Sequence, residues 1–151
     1  MKVIQVVASA LLVGCFGLCG VIPCRAAETN AAIPSILQVG FAFFKQQHPE
    51  KGLDAWKQGG LVGAEFPTVA NASYFTQAER TLGKYVSYEL ITVKIVGASS
   101  RVIYLSINYA RGAVYARFLM YHGESGWVVQ SMDFNTRPEA LMPWLTYEGG
   151  Q

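Results

Sequence analysis

An α+β fold, with helices ahead of a four-stranded antiparallel meander, is predicted by three features of this 151-residue chain. Four runs rich in Val, Ile, Tyr and Phe follow one another over residues 85–134: YVSYELITVKIV, RVIYLSINYA, AVYARFLMYH and WVVQSMDF. The gaps between them are GASS, RG and GESG, short segments dominated by Gly and Ser. Connections this short force neighbouring strands to be antiparallel, because a parallel crossover needs about a dozen residues or more. The residues ahead of the runs carry apolar side chains at spacings of three and four, the period of a helix.

The N-terminus reads as a targeting segment. Lys2 is followed by a largely apolar run, Val3–Ile22, and Cys24-Arg25-Ala26 places small residues at −3 and −1 of a cleavage site. The expected products are a signal peptide, 1–26, and a single domain, 27–151, that is periplasmic or secreted. Cleavage after Ala27 is the near alternative. A spanning helix competes, since the run approaches the ~20 residues a bilayer needs, but Pro23 and the small-residue site favour cleavage. Leu12-Val13-Gly14-Cys15 resembles a lipobox, which would make Cys15 a lipid anchor. The apolar Phe16–Pro23 that follows argues against it.

Cleavage changes the chemistry on offer. Cys15, Cys19 and Cys24 all fall in the removed part, so the mature chain has no thiol for a disulfide, a nucleophile or a metal. Without Lys2 and Arg25, the 12 basic residues become 10, equal to the 10 acidic ones. A neutral chain gives no basic surface for nucleic acid. The remaining length suits one domain with one core and no membrane span.

The helices come next in order. Ile33, Ile36, Leu37, Gly40, Phe41 and Phe44 form one stripe, with Pro34 in the first turn and His48-Pro49 as the stop. Pro49–Gln58 makes a second helix with Leu53 and Trp56 inward, ended by Gly59-Gly60. Thr68 is a fitting N-cap for a third, with Val69, Ala72, Phe75, Ala78 and Leu82 on one side and Gly83 closing it. Gly59–Gly63 lacks the donors and the Lys-Ser/Thr of a phosphate loop and reads as a hinge. Phe41, Phe43, Phe44, Tyr74 and Phe75 read as core aromatics. A short turn or helix after Arg137 carries Leu141, Trp144 and Leu145.

The strands are apolar on both faces. Regular alternation puts Ile91, Val93 and Ile95 on one side of the first strand and Val86, Leu90 and Val96 on the other. The second strand shows Ile103, Leu105 and Ile107 against Val102 and Tyr104; the third shows Tyr115, Leu119 and Tyr121 against Val114, Phe118 and Met120. Helices cover one face only, so the open one is expected to meet a second copy of the chain.

Helices followed by a twisted meander is the order of the NTF2-like (SnoaL-like, cystatin-like) superfamily. Gly126-Trp127-Val128-Val129 resembles the G-x-W-x-[IVL] that opens the last strand in many members, and Tyr121 ahead of a Gly-rich turn fits the F-x-x-Y-x-x-x-x-G-W pattern. Arg80–Tyr85 is similar to uncharacterised exported bacterial members. The resemblance spans about residues 33–135. It implies helices packed on a curved four-stranded antiparallel sheet, a cone that often encloses a pocket, and often a homodimer through the open sheet face. Some members are isomerases, cyclases or dehydratases, with a pocket Asp or His as proton acceptor and Tyr or Asp as donor.

Candidates for such chemistry are few. A carbonyl substrate needs one group to take a proton and another to stabilise the oxyanion. Asp133 lies six residues after Trp127 on the last strand, where the resemblance places a functional residue. Its bland alternative is an outward carboxylate near Arg117 or Arg101. Glu89 and Arg117 are mid-strand charges, costly if buried unpaired. They are either a polar centre in a pocket, with Tyr88, Tyr104 and Tyr115 as hydroxyl donors and Trp127 beside them, or a cross-strand surface pair. His48 and His122 are the only histidines, both expected at exposed positions, and they make no metal site by spacing. No cofactor motif is present: neither G-x-S-x-G nor H-E-x-x-H occurs. The favoured expectation is a non-catalytic exported domain that binds a small apolar ligand or a protein partner. The alternative is a ketosteroid-isomerase-like or dehydratase-like enzyme with Asp133 or Glu89 as base. A third is an assembly role for the open sheet face.

Overall fold

A computed structural model describes residues 33–60 and 72–146. In chain order these form α1 (Ser35–Lys45), α2 (Pro49–Lys57), α3 (Ala72–Leu82), β1 (Tyr85–Gly97), β2 (Ser100–Tyr109), β3 (Gly112–Gly123) and β4 (Gly126–Asn135). Two 3₁₀ turns follow, Pro138–Ala140 and Pro143–Thr146. The strands make one antiparallel sheet in the order β1-β2-β3-β4. The α+β layout expected from the sequence is the observed one. The N-terminal segment expected to be a signal peptide, Thr68, Val69 and Gly63 lie outside the described residues.

Each helix buries its expected stripe. Leu37, Gly40, Phe41 and Phe44 of α1 are inward, as are Leu53 and Trp56 of α2 and Phe75 and Ala78 of α3. The end of α1 differs from expectation. The helix stops at Lys45, before His48-Pro49, because Gln47 turns left-handed at φ 64° and the His48 N–H reaches back to the Phe43 carbonyl at 2.9 Å. Gly83, at φ 85°, closes α3, and its N–H donates to Glu79 O at 2.9 Å. Arg111 on the β2–β3 turn satisfies two more carbonyls there. Its backbone N–H donates to Leu82 O at 2.8 Å and its Nη2 to Thr81 O at 2.9 Å.

The helices cover one sheet face, where Ile103, Leu105 and Ile107 of β2 meet Val114, Phe118 and Met120 of β3 in the core. The alternation expected for β1 fails. Leu90 stands opposite Leu105 and Thr92 opposite Tyr104, so Ile91 is an extra residue and bulges out, 42% exposed. Leu90 and Val93, expected on opposite faces, therefore both pack toward the helices. The second face is also not left open throughout. Leu141 and Met142 from the terminal turns pack with Tyr104, and Val102, Tyr115 and Trp144 surround them. Part of the surface expected to meet a second copy is covered by the chain's own end.

Trp56 holds the helices to each other. It is fully buried, stacked on Phe44 at 5.3 Å and edge-on to Phe41 and Phe118 at 4.9 and 5.0 Å. Its Nε1–H donates to Leu37 O at 3.2 Å. Any side chain at Gly40 would overlap the indole, and one at Gly52 would come within 2.7 Å of the Gly40 carbonyl oxygen. Gly40→Ala is expected to destabilise the domain by about 1–3 kcal/mol through overpacking, read as a lower urea midpoint.

Two core tyrosines link stability to alkaline pH. Burial pushes the Tyr85 hydroxyl up to about 12, with a smaller contribution from Tyr88, and burial raises Tyr109 as well. Both titrate near 10 once unfolded. The folded state holds these protons more tightly, so stability is complete below pH ~10 and falls as pH climbs through about 12. Urea midpoints measured from pH 9 to 12 are expected to drop, and less steeply in Tyr85→Phe.

Candidate functional site

The seven residues singled out in the sequence divide between the two sheet faces. Directly opposed residues of an antiparallel pair share a face. Glu89 opposes Ser106, which opposes Tyr115; Tyr104 opposes Arg117, which opposes Asp133. These five candidates therefore share the face turned away from the helices. Tyr88 opposes the buried Ile107, and Trp127 opposes His122, two residues on from the buried Met120. Tyr88 and Trp127 are on the helix face. The proposed polar centre joining Tyr88 and Trp127 to Glu89, Arg117 and the other tyrosines is not assembled. The period of two separates Tyr88 from Glu89 across the sheet.

On the outer face Arg117 binds Asp133. Nε and Nη2 both donate to Oδ2, at 3.2 and 2.9 Å, and the side chains are 43% and 36% exposed. Asp133 is thus the outward carboxylate beside Arg117. Glu89 is exposed and lies diagonally across β2 from Arg117, so the alternative Glu89–Arg117 surface pair is not the one formed. Tyr104 is buried edge-on to Trp144 at 4.9 Å, and Lys94 Nζ sits 3.8 Å from the centre of that indole.

On the helix face Tyr88 stacks on Phe41 with ring centres 4.1 Å apart, and burial raises its hydroxyl pKa. Arg101 lies over Trp127, Cζ 3.6 Å from the ring centre, and burial lowers its pKa. His122 touches the same indole edge-on. His48 is exposed, Nδ1 3.0 Å from Glu50 Oε1. Among the described residues no three His, Cys, Asp or Glu side chains gather as metal ligands would.

Sequence reasoning missed a groove of about 770 Å³ between α1 and β1. Phe41, Ala42 and Lys45 form its helical wall, and Tyr85, Tyr88 and Leu90 the strand wall. Glu89 stands on its rim side, exposed. The first strand of a meander always has one unpaired edge, and the small Ala42 next to Phe41 leaves room beside it. Those two signals were legible; that α1 would lie along this edge was not.

The Arg117–Asp133 pair is half-exposed, so its coupling is expected to be only about 0.2–1 kcal/mol. A double-mutant cycle with Arg117→Ala and Asp133→Asn, followed by urea unfolding, measures it.

Comparison with known proteins adds little to this geometry. No family model matches the chain, and no curated protein matches it. Among solved structures it is similar to a crystal structure from Nostoc punctiforme, a domain of unknown function with a cystatin-like fold. The identity is 10% and the TM-score 0.47, over 82% of this chain and 88% of that one.

Proposed function

We propose that the mature chain is a non-catalytic binding domain, exported to the periplasm or secreted, that takes an extended polypeptide segment into the α1–β1 groove. One observation carries this reading: the groove runs beside the unpaired edge of β1. Its strand wall carries backbone N–H and C=O groups; Phe41, Ala42 and Leu90 give it an apolar floor, and Lys45 and Glu89 add charge at its margins. An extended peptide matches both, by adding a strand and placing alternate side chains in the slot. A small apolar ligand fits the volume but leaves the backbone groups it covers without partners. Export is supported by Lys2, the apolar run and the small residues before Ala27. Lipidation at Cys15 is the competing form of delivery.

The enzymatic alternative has weaker support. A general base needs a free oxygen within reach of a substrate proton. Asp133 is paired with Arg117 on the outer face, Glu89 is exposed, and Tyr88, which lines the groove, points to the opposite face from both.

Ala42→Trp tests the reading, because it fills the groove from an exposed helical position and leaves the core alone. Hydrogen exchange over residues 85–97 is expected to be slow at outward-facing amides in the protein taken from its own envelope. It should be fast in the variant, at an unchanged urea midpoint. Equal exchange in both would overturn the proposal.

A further inference from the structure

We infer that the strand entering the groove is β1 of a second copy of this chain, running antiparallel and centred between Ile91 and Thr92. This rests on the strand-addition reading above and names its partner. The two halves of β1 are complementary in shape. Residues 85–90 line the groove, whereas Ile95 and Val96 at the other end are 75% and 64% exposed. One half offers a slot and the other an unburied ridge. A two-fold axis at the strand centre brings each to its counterpart twice.

The bulge makes the faces agree. In a regular strand Tyr88 and Ile95 would point to opposite faces, since they are seven positions apart, an odd offset. Because Ile91 is an extra residue, Tyr88, Leu90, Val93 and Ile95 all point to the helix side, and Glu89 and Lys94 both point to the other. The centred register then sets Tyr88 beside Ile95 of the second copy and Leu90 beside Val93 of the second copy. Registers two residues away lose the next match.

That match is charge. Glu89 and Lys94 are the charged residues of β1. The centred register places Glu89 of each copy opposite Lys94 of the other, two opposite-charge pairs per dimer. The pairing also resolves a liability. A 13-residue edge strand with exposed Val86, Ile95 and Val96 and no proline is a template for open-ended pairing. An isologous β1–β1 contact closes after two copies. The dimer contact is then an edge and not the open sheet face.

Light scattering on the mature protein across a concentration series, with charge-reversed variants, tests this. The native chain is expected to be a dimer. Glu89→Lys and Lys94→Glu should each raise the dissociation constant about tenfold or more, because both opposite-charge contacts become like-charge contacts. The combined Glu89→Lys/Lys94→Glu variant should recover the dimer. Recovery is the decisive reading, since Lys94→Glu also removes the contact over Trp144. Ile95→Asp should weaken the dimer with no such rescue. A dimer indifferent to the single changes, or no recovery in the combined variant, would sink the inference. A monomer whose outward β1 amides are protected overturns the second copy as occupant and leaves strand addition standing. A monomer with unprotected amides removes both.

Discussion

The burial of one indole constrains the rest of this structure. Trp56 carries a large apolar ring and one N–H that must find an acceptor once buried. The Leu37 carbonyl accepts it, and that requires α1 and α2 to approach closely. Gly40 and Gly52 permit the approach, because a side chain at either would collide with the indole, with Phe44 or with the facing backbone. With α1 held there, Phe41 reaches across to Tyr88 and α1 lies along the first half of β1. The groove is the space left beside that contact. Binding surface and core therefore share a cause: the same aromatic packing that orders the helices decides which strand edge they flank.

The sheet divides the polar chemistry from that groove. Its period of two sends Tyr88 inward and Glu89 outward from adjacent positions. Most of the titratable side chains of the sheet fall on the outer face, where Arg117 and Asp133 pair in partial contact with water. Charges in such a place stay inexpensive to hold and do little more than order the surface. A catalytic pocket asks for the reverse, a polar group surrounded by apolar walls. Here Asp133 is on the far side of the sheet from the apolar walls and Glu89 stands exposed at the groove's rim, and this arrangement favours binding over acid–base work.

Irregularities do more than the regular elements to set the working surfaces. The extra residue at Ile91 turns both Leu90 and Val93 toward the helices and aligns the faces of the two halves of β1. The terminal turns bring Leu141 and Met142 over Tyr104, so the central strand β2 is buried from both sides over Ile103–Ile107. That covering removes part of the outer face from any partner and leaves the β1 edge as the larger uncommitted feature.

The sequence by itself determined the class, the order of elements and most of the core. Strong apolar periodicity and Gly-rich gaps act locally, so the helix stripes through Phe41, Trp56 and Phe75 and the inward faces of β2 and β3 were legible. Tertiary structure alone decided the remainder. Whether a residue bulges depends on the register of the neighbouring strand, so the faces of β1 could not be read from alternation. The left-handed turn at Gln47 sits on a residue whose propensity does not announce it. The acceptor for Trp56 lies 19 positions away in the chain. The covering of Tyr104 comes from Leu141 and Met142, and the groove from a helix laid against an edge strand more than 40 positions on. Each of these joins distant segments, and the free energy that selects them arises only when the whole core packs at once.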